Sequence, residues 1–298
     1  MRRVAVLLAC GWLAACTGTD PRAAADRLAG AAGFVAHDID ARPFRLRAYL
    51  RAAAPGPVLR VYIEGDGHAW RTRQEPSADP TPWSPLALDL AVRDPFPAVA
   101  YLARPCQYVV ADPACSPAFW TDRRYGEPVV ASADAAMTAL LALAGARRLE
   151  LVGFSGGGAI AVLAAARRTD VVSLRTVAAN LDTEAWTIRH DVTPLLGSLN
   201  PADVAPLLAR LPQVHFVGAA DRVVDEAVVL AYARRAGSMS CLRVVVVPGL
   251  GHDSGWAARW PDLLGDVPVC EEARPGQGPT LATGQITAAW YDSRAGLP

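Results

Sequence analysis

The strongest constraint on the fold of this chain is the regular alternation of short apolar segments with segments that have helical spacing. Strand patterns occur at residues 44–50, 58–63, 98–102, 149–152, 174–179, 214–217 and 242–247. Helical spacing occurs at residues 129–144, 159–167 and 225–236. Strands that alternate with helices predict one α/β domain, with a mostly parallel central sheet flanked by helices on both faces. The chain has 298 residues, 52% of them hydrophobic, which is enough to bury such a core.

The same pattern predicts one folded domain between two irregular ends. Residues 1–15 have the features of a signal peptide, and residues 16–40 are Ala-rich without a clear strand, which indicates a tether. The predicted α/β domain covers residues 41–270. Residues 181–212 interrupt its rhythm with prolines and small polar residues, so we expect a small cap-like insertion there. Residues 271–298 are rich in Gly, Pro and Thr and are predicted to be a flexible tail.

The N-terminus predicts export from the cytoplasm. Arg2 and Arg3 precede an apolar stretch at residues 4–13 that is too short to span a bilayer, which is the pattern of a secretory signal. The sequence Leu13-Ala14-Ala15-Cys16 resembles a bacterial lipobox, which implies cleavage before Cys16 and diacylglycerol on its thiol. An ordinary signal peptide is the alternative. The resemblance implies a lipid-anchored protein of the bacterial cell envelope that faces the periplasm. Thr17 is not Asp, which by resemblance to enterobacterial lipoproteins favours the outer membrane.

Export also determines how the cysteines are interpreted. Cys10 leaves with the signal and Cys16 carries the lipid, so four thiols remain in an oxidising compartment. Four cysteines allow three pairings, of which the local one, Cys106–Cys115 and Cys241–Cys270, is the most economical. Zinc is the rival ligand, but the sequence has no Cys-x-x-Cys pair with a nearby His. We therefore expect two disulfides and no metal site.

The motif Gly153-Phe154-Ser155-Gly156-Gly157 lies between a predicted strand and a predicted helix. In this context a G-x-S-x-G turn presents its serine as a nucleophile, because the strained turn needs glycine where backbone crowds backbone. The helix that follows directs its N-terminal N–H groups and its dipole at the same point. A tight glycine turn with a solvated serine is the alternative, so the motif needs support from other residues.

Asp221 and His252 supply that support, because each comes just after a predicted strand. The chain order is nucleophile, acid and histidine, and over residues 44–265 the sequence resembles the α/β-hydrolase superfamily. The resemblance implies an α/β-hydrolase fold in which the strand ends bring the three side chains together. His252 is then expected to take the proton of Ser155, and Asp221 to orient the imidazole and stabilise its charged form.

Two other aspartates compete for the role of the acid. Asp182 follows the strand after the nucleophile helix, a position that some hydrolases use. Asp225 lies at a predicted helix N-terminus, where a capping role is sufficient to explain it. The choice between Asp221 and Asp182 stays open at this point.

The resemblance also implies an oxyanion hole of two backbone N–H groups. One comes from Gly156, the residue after the nucleophile. The other comes from the loop Glu64-Gly65-Asp66-Gly67, where related hydrolases often have His-Gly, so Asp66 is the expected donor and the following glycine the alternative. A plain Asp-Gly turn is the other interpretation. Carboxylates beside an oxyanion repel it unless they point away or are paired, for which Arg104 and His68 are the candidates.

A different function is compatible with part of this region. Residues 156–161 fit the dinucleotide fingerprint G-x-G-x-x-A, and Asp182 lies about 20 residues beyond it, where a ribose-binding acid is expected. The protein would then be a dinucleotide-dependent oxidoreductase. The late position of the motif, the predicted export and the unexplained pair of Asp221 and His252 argue against it. A non-catalytic envelope lipoprotein with a hydrolase fold is the other alternative.

The predicted function is that of a serine hydrolase with an acyl-enzyme intermediate, acting on carboxylic esters. A thioesterase, a peptidase or an amidase would use the same triad. The apolar residues Trp186, Leu195 and Leu196 lie in the predicted cap and are candidates for lining a pocket for a small-molecule or lipid-like ester. No cofactor is expected. The formal net charge is zero and the sequence has no basic block, so no nucleic-acid partner is expected. The oligomeric state is open.

Overall fold

The computed structural model describes residues 20–53, 55–109 and 112–270. Its centre is one eight-stranded sheet. The strands are β1 (Val35–Ala41), β2 (Phe44–Ala52), β3 (Val58–Ile63), β4 (Ala98–Leu102), β5 (Arg148–Phe154), β6 (Val171–Val177), β7 (Gln213–Gly218) and β8 (Leu242–Val247). Their order in the sheet is β1-β2-β4-β3-β5-β6-β7-β8. Strand β2 runs antiparallel to β1 and β4, and the pairs from β4 to β8 are parallel.

Helices cover both faces of this sheet. They are α1 (Pro21–Ala31), α2 (Leu86–Val92), α3 (Glu127–Ala144), α4 (Gly156–Ala165), α5 (Thr183–His190), α6 (Pro201–Val204), α7 (Glu226–Arg235) and α8 (Trp256–Leu263). Helices α1, α2 and α8 share one hydrophobic core with one face, while α3, α4, α6 and α7 share the core on the other face. The predicted fold class, a mostly parallel sheet with helices on both sides, is confirmed.

The central elements follow from their composition. All five residues of β4 and all ten residues of α4 are buried, which agrees with their continuous runs of apolar or small residues. Helix α3 is apolar enough in length and composition to cross a membrane, but half of it is buried against the rest of the protein. Its buried residues recur at helical spacing, as in a helix that packs one face on a sheet.

The predicted tether at residues 16–40 is wrong for the residues that the structure describes, because they form α1 and β1. Asp20 caps α1 by accepting the N–H of Arg22, and Pro21 is the first helical residue, which is a typical helix start. Strand β1 pairs along its whole length with β2. Only two residues of β1 are buried, so the alternation of apolar and polar residues is too weak to predict an edge strand from sequence. Residues 1–19, with Cys16, and the predicted tail at 271–298 lie outside the described residues.

Both predicted disulfides are present, Cys106–Cys115 and Cys241–Cys270. The first closes the loop that follows β4, and the second joins the start of β8 to the segment after α8. The predicted insertion at residues 181–212 contains α5, α6 and a 3₁₀ turn, and it adds no strand to the sheet.

Candidate active site

Ser155 occupies the sharp turn between β5 and α4, with a positive φ of 49°. This backbone conformation is rare for residues other than glycine and asparagine and is typical of strained functional turns. A Cβ on Gly153 would overlap the Cα of Gly158, and a Cβ on Gly157 would overlap the carbonyl oxygen of Ile63. The close approach of α4 to β5 and β3 therefore requires glycine two residues before and two residues after the serine, as the motif predicts.

Three predicted side chains meet at the edge of the sheet where the parallel strands end. His252 Nε2 lies 3.0 Å from Ser155 Oγ, and His252 Nδ1 lies 2.9 Å from Asp221 Oδ2. The Asp221 side chain is fully buried, while that of His252 is 19% exposed. A carboxylate can only accept hydrogen bonds, so Nδ1 carries the ring proton and Nε2 accepts from the Ser155 hydroxyl. This arrangement allows the imidazole to act as a base towards the serine.

The acid and the base of this group are held by their own loops. The second carboxylate oxygen of Asp221 accepts the N–H groups of Val223 and Val224, at 2.7 and 2.9 Å. The fully buried Trp256 donates its indole N–H to two carbonyl oxygens of the loop that carries His252. Trp256 was not among the predicted site residues, although its position shortly after the candidate catalytic His252 is a signal that the sequence offers.

The rival acids are engaged elsewhere. One oxygen of Asp182 accepts the N–H groups of the second and third residues of α5, which is a helix-capping role. Asp225 precedes α7 and pairs with Arg189. The structure therefore places Asp221, and neither of the other two, on His252. The capping role also explains Asp182 without a bound dinucleotide.

The loop with the second expected oxyanion donor packs against Ser155 and Gly156. Gly156 is the first residue of α4, whose first N–H groups have no partner within the helix. A Cβ on Gly156 would overlap the Asp66 carboxylate, and a Cβ on Gly65 would lie 3.3 Å from the Cβ of Ser155. Among the described residues, the backbone N–H groups of Asp66 and Gly67 have no hydrogen-bond acceptor. The loop thus presents free donors beside the serine.

The Asp66 carboxylate is paired by two arginines. Arg104 donates to Asp66 Oδ1 and Arg124 to Oδ2, each at 3.0 Å, and the Tyr125 hydroxyl lies 3.2 Å from Oδ2. Burial by itself would raise the pKa of Asp66, but the two guanidinium groups outweigh it and hold the pKa below its ordinary value. Arg104 was a predicted partner, whereas the structure does not place His68 on this carboxylate. Arg124 and Tyr125 carry no sequence signal that would have identified them.

Glu64, the first residue of this loop, is almost completely buried. Its carboxylate accepts the N–H of Gly65 at 2.9 Å and that of Ala87, at the start of α2, at 3.4 Å. Burial raises the pKa of Glu64 to about 7, although these hydrogen bonds oppose the increase. A substantial fraction of the carboxyl is therefore neutral near pH 7.

Ser155 and His252 open into a cleft of about 580 Å³, within the size range of small-molecule sites. The lining residues are Glu64, Asp66, Gly67, His68, Ala69, Trp70, Pro82, Trp83, Ser84, Arg124, Tyr125, Phe154, Ser155, Asn180, Trp186, Val223, Val224, His252 and Asp253. Trp186 lines the cleft as predicted, and its indole N–H donates to the Val223 carbonyl. The prediction is wrong for Leu195, which packs against the core, and for Leu196, which is 89% exposed because its turn directs it to solvent.

In the part of the chain that the structure describes, no group of three or more His, Cys, Asp or Glu side chains has the arrangement of a metal site. The cysteines at 106, 115, 241 and 270 are all engaged in the two disulfides.

Solved structures of several hydrolases are similar to this chain. A bacterial membrane phospholipase A, described as a virulence factor, is 17% identical, with a TM-score of 0.54 over 82% of this chain and 90% of the other. An esterase of Pyrococcus furiosus is 11% identical, with a TM-score of 0.54 over 79% and 91%. A puromycin-hydrolysing peptidase of Mycobacterium tuberculosis is 18% identical, with a TM-score of 0.54 over 78% of this chain but 38% of the other.

These similarities show that the chain has the α/β-hydrolase fold, as the resemblance of its motifs implies. No protein-family model matches the sequence, and a search of curated proteins finds no match. A fold of this kind supports many different reactions, so the function has to be argued from the site itself.

Proposed function

We propose that this protein is a serine hydrolase that cleaves carboxylic esters through an acyl-enzyme at Ser155. The observation that carries the proposal is the chain of contacts from Ser155 Oγ to His252 Nε2 and from His252 Nδ1 to Asp221, at 3.0 and 2.9 Å. A nucleophile in contact with a base that is itself oriented by a buried acid is the arrangement required for this chemistry.

The reaction proceeds in two halves. Ser155 Oγ attacks the ester carbonyl carbon while His252 Nε2 takes the hydroxyl proton, and Asp221 stabilises the imidazolium that results. His252 then returns the proton to the leaving alcohol, and the acyl group stays on Ser155. In the second half, water attacks the acyl carbon with His252 as base, which releases the carboxylic acid and restores the serine.

The tetrahedral oxyanion of each half is stabilised by the N–H groups of Gly156 and Asp66. Gly156 stands at the N-terminus of α4, where the helix dipole favours negative charge. The Asp66 carboxylate by itself would oppose an oxyanion, but Arg104 and Arg124 bring two positive charges to it. The cluster thus has a net positive charge, and its ion pairs hold the loop that packs against the serine.

Several features support an ester as the substrate class. Three tryptophans, Trp70, Trp83 and Trp186, line the cleft together with Val223 and Val224, so an apolar group can bind beside Ser155. The structural neighbours include an esterase and a phospholipase. Because a peptidase also has this fold, thioesters and amides stay as alternatives for the same triad.

The test is hydrolysis of p-nitrophenyl esters of graded chain length by the wild type and by Ser155→Ala. We expect the wild type to hydrolyse at least one ester and Ser155→Ala to lose several powers of ten in kcat/KM. Ser84→Ala is the matched control, since Ser84 lines the same cleft without contacting His252. A p-nitroanilide and a thioester measured alongside identify the bond type. Equal activity of Ser155→Ala and wild type would refute the proposal.

We also propose that the mature protein is anchored in the bacterial envelope through a lipid on Cys16 and faces the periplasm, with the outer membrane as the expected site. The pattern around Cys16 and the two disulfides, which persist in oxidising compartments, support this location. Cys16→Ser should move the protein from the membrane to the soluble fraction without loss of esterase activity. Membrane association unchanged by that substitution would contradict the anchor.

A further inference from the structure

A second cleft, of about 620 Å³, lies between α1, α2 and α8. Much of its lining is short apolar side chains, among them Ala24 and Leu28 from α1, Leu86 from α2, and Ala257 and Ala258 from α8. We call this cleft the α1 groove. It lies on the face of the sheet opposite to α3 and α4.

The α1 groove adjoins the catalytic cleft. Trp83, Ser84 and Asp253 line both, and Asp253 directly follows His252 in the chain. Trp83 stands at the junction with 63% of its surface exposed. A ligand with its reactive bond at Ser155 would pass over these shared side chains to reach the groove.

The chemistry of the walls selects an apolar occupant. Two charged side chains of α2, Asp89 and Arg93, line the groove, but they form an ion pair with each other. A third, Asp253, is exposed and lies at the end shared with the catalytic cleft. The wall between them is rich in alanine and leucine, which bind a hydrocarbon chain through burial of apolar surface.

The wall formed by α1 begins close in the sequence to the predicted lipid anchor. Asp20, which caps α1, is four residues after Cys16. Four residues span at most about 14 Å when fully extended. With a lipid on Cys16, α1 and the groove that it lines are held near the membrane surface, where ester-linked hydrocarbon chains are concentrated.

We propose that the α1 groove is the acyl-chain subsite of this enzyme and takes the hydrocarbon chain of a lipid ester whose carbonyl lies at Ser155. The proposal rests on the proposed esterase function and deepens it by naming the substrate class. It predicts that substitutions filling the groove impair hydrolysis of long-chain esters and spare that of short-chain esters.

The experiment compares p-nitrophenyl acetate with p-nitrophenyl dodecanoate. Ala258→Trp fills the groove from an exposed position on α8, and Ala24→Phe fills it from the opposite wall. Ala135→Trp is the matched control, because Ala135 is an exposed alanine of α3 on the other face of the sheet. Hydrolysis of the acetate ester by each variant reports that its active site is folded.

The wild type should have a higher kcat/KM for the dodecanoate than for the acetate. Ala258→Trp and Ala24→Phe should each lower this ratio on the order of tenfold or more, because burial of several methylene groups is lost, and Ala135→Trp should leave it unchanged. An unchanged ratio in both groove variants, with normal acetate hydrolysis, would overturn the inference. A wild type that hydrolyses neither ester would refute the proposed function itself.

The hydrocarbon chain can belong to a membrane lipid or to a free long-chain ester, and dioleoylphosphatidylcholine vesicles distinguish these two sources. Release of fatty acid by the wild type and its loss in Ala258→Trp would assign the groove to membrane lipids. Activity confined to the soluble dodecanoate, with the same sensitivity to Ala258→Trp, would assign it to free long-chain esters and keep the groove as the subsite.

Discussion

The candidate active site has two sides that are built in different ways. The nucleophile side consists of Ser155, Asp221 and His252, each in the turn or loop that follows a parallel strand. The oxyanion side consists of the loop at residues 64–67 and the side chains that hold it. Asp66 in that loop contacts residues 38, 58 and 59 positions further along the chain.

This difference shows where each side gets its rigidity. On the nucleophile side, the strand ends and tight turns position the groups, and the partners are backbone N–H groups close in sequence. On the oxyanion side, buried polar side chains position the loop, since Asp66 pairs with Arg104 and Arg124, and the buried Glu64 accepts N–H groups of Gly65 and Ala87. We therefore expect variants of the first side to affect chemistry, and variants of the second to affect stability and kcat together.

The largest expected effect is on the nucleophile side. Asp221→Asn should lower kcat on the order of 10⁴-fold, because His252 loses the acceptor that selects its tautomer. Asp182→Asn is the control, since Asp182 caps α5 away from His252, and we expect less than about a tenfold loss there. Ester hydrolysis by folded protein with unchanged circular dichroism measures both. A larger loss at Asp182 than at Asp221 would assign the acid to the earlier strand.

The next largest effect concerns Glu64 and protein stability. Burial raises the pKa of this carboxyl from 4.5 to about 7, so the folded state holds its proton more tightly than the unfolded chain. Stability should therefore fall as the pH rises from about 4.5 to 7, because the unfolded chain loses this proton first. Glu64→Gln removes that decrease. Between these two pH values, its free energy of unfolding should rise by about 3 kcal/mol relative to that of the wild type.

The measurement is urea unfolding of both proteins from pH 4 to pH 8. Glu127→Gln is the control with the opposite sign, because the hydrogen bond from the exposed Arg167 lowers the pKa of Glu127. At a pH above the pKa that Glu127 has in the unfolded chain, this variant should be a little less stable than the wild type. A stability difference between Glu64→Gln and wild type that does not depend on pH would contradict the account of Glu64.

The smallest of the three expected effects concerns the ion pairs that hold the Asp66 carboxylate in place. Arg124→Gln leaves Asp66 with Arg104 and Tyr125 but removes one positive charge from the cluster. We expect kcat to fall on the order of 10²-fold with little change in KM, because a displaced donor weakens an interaction made only in the transition state. Arg167→Gln, which breaks the surface pair with Glu127, should change neither. A higher KM with unchanged kcat would instead make Arg124 a contact of the bound substrate.

The same contrast explains what the sequence could predict. The strands that carry the triad are mainly apolar segments followed by Gly, Asp or His motifs, so β5, β7 and β8 and their functional residues were recognisable. The cysteine pairing was also predictable, because the short separations favour the local pairing among the three that four cysteines allow.

The rest depended on contacts between distant parts of the chain. Strand β1 exposes most of its residues and is stabilised by pairing with β2, so its own pattern is weak. Arg124 and Tyr125 reach Asp66 only because the segment before α3 returns to the site, and no local motif marks them. For Leu196, apolar character suggested a pocket, whereas the turn that carries it points to solvent.

The most direct test of the central claim is the site of labelling by a fluorophosphonate, a reagent that reacts with an activated serine. Peptide mass mapping of the labelled wild type should place one modification, on Ser155, and His252→Ala should react much more slowly because the base is gone. Ser155→Ala should not be labelled. A folded wild type that is not labelled at Ser155, or that reacts at a different serine with equal speed in His252→Ala, would contradict the assignment of Ser155, His252 and Asp221 as the reactive group.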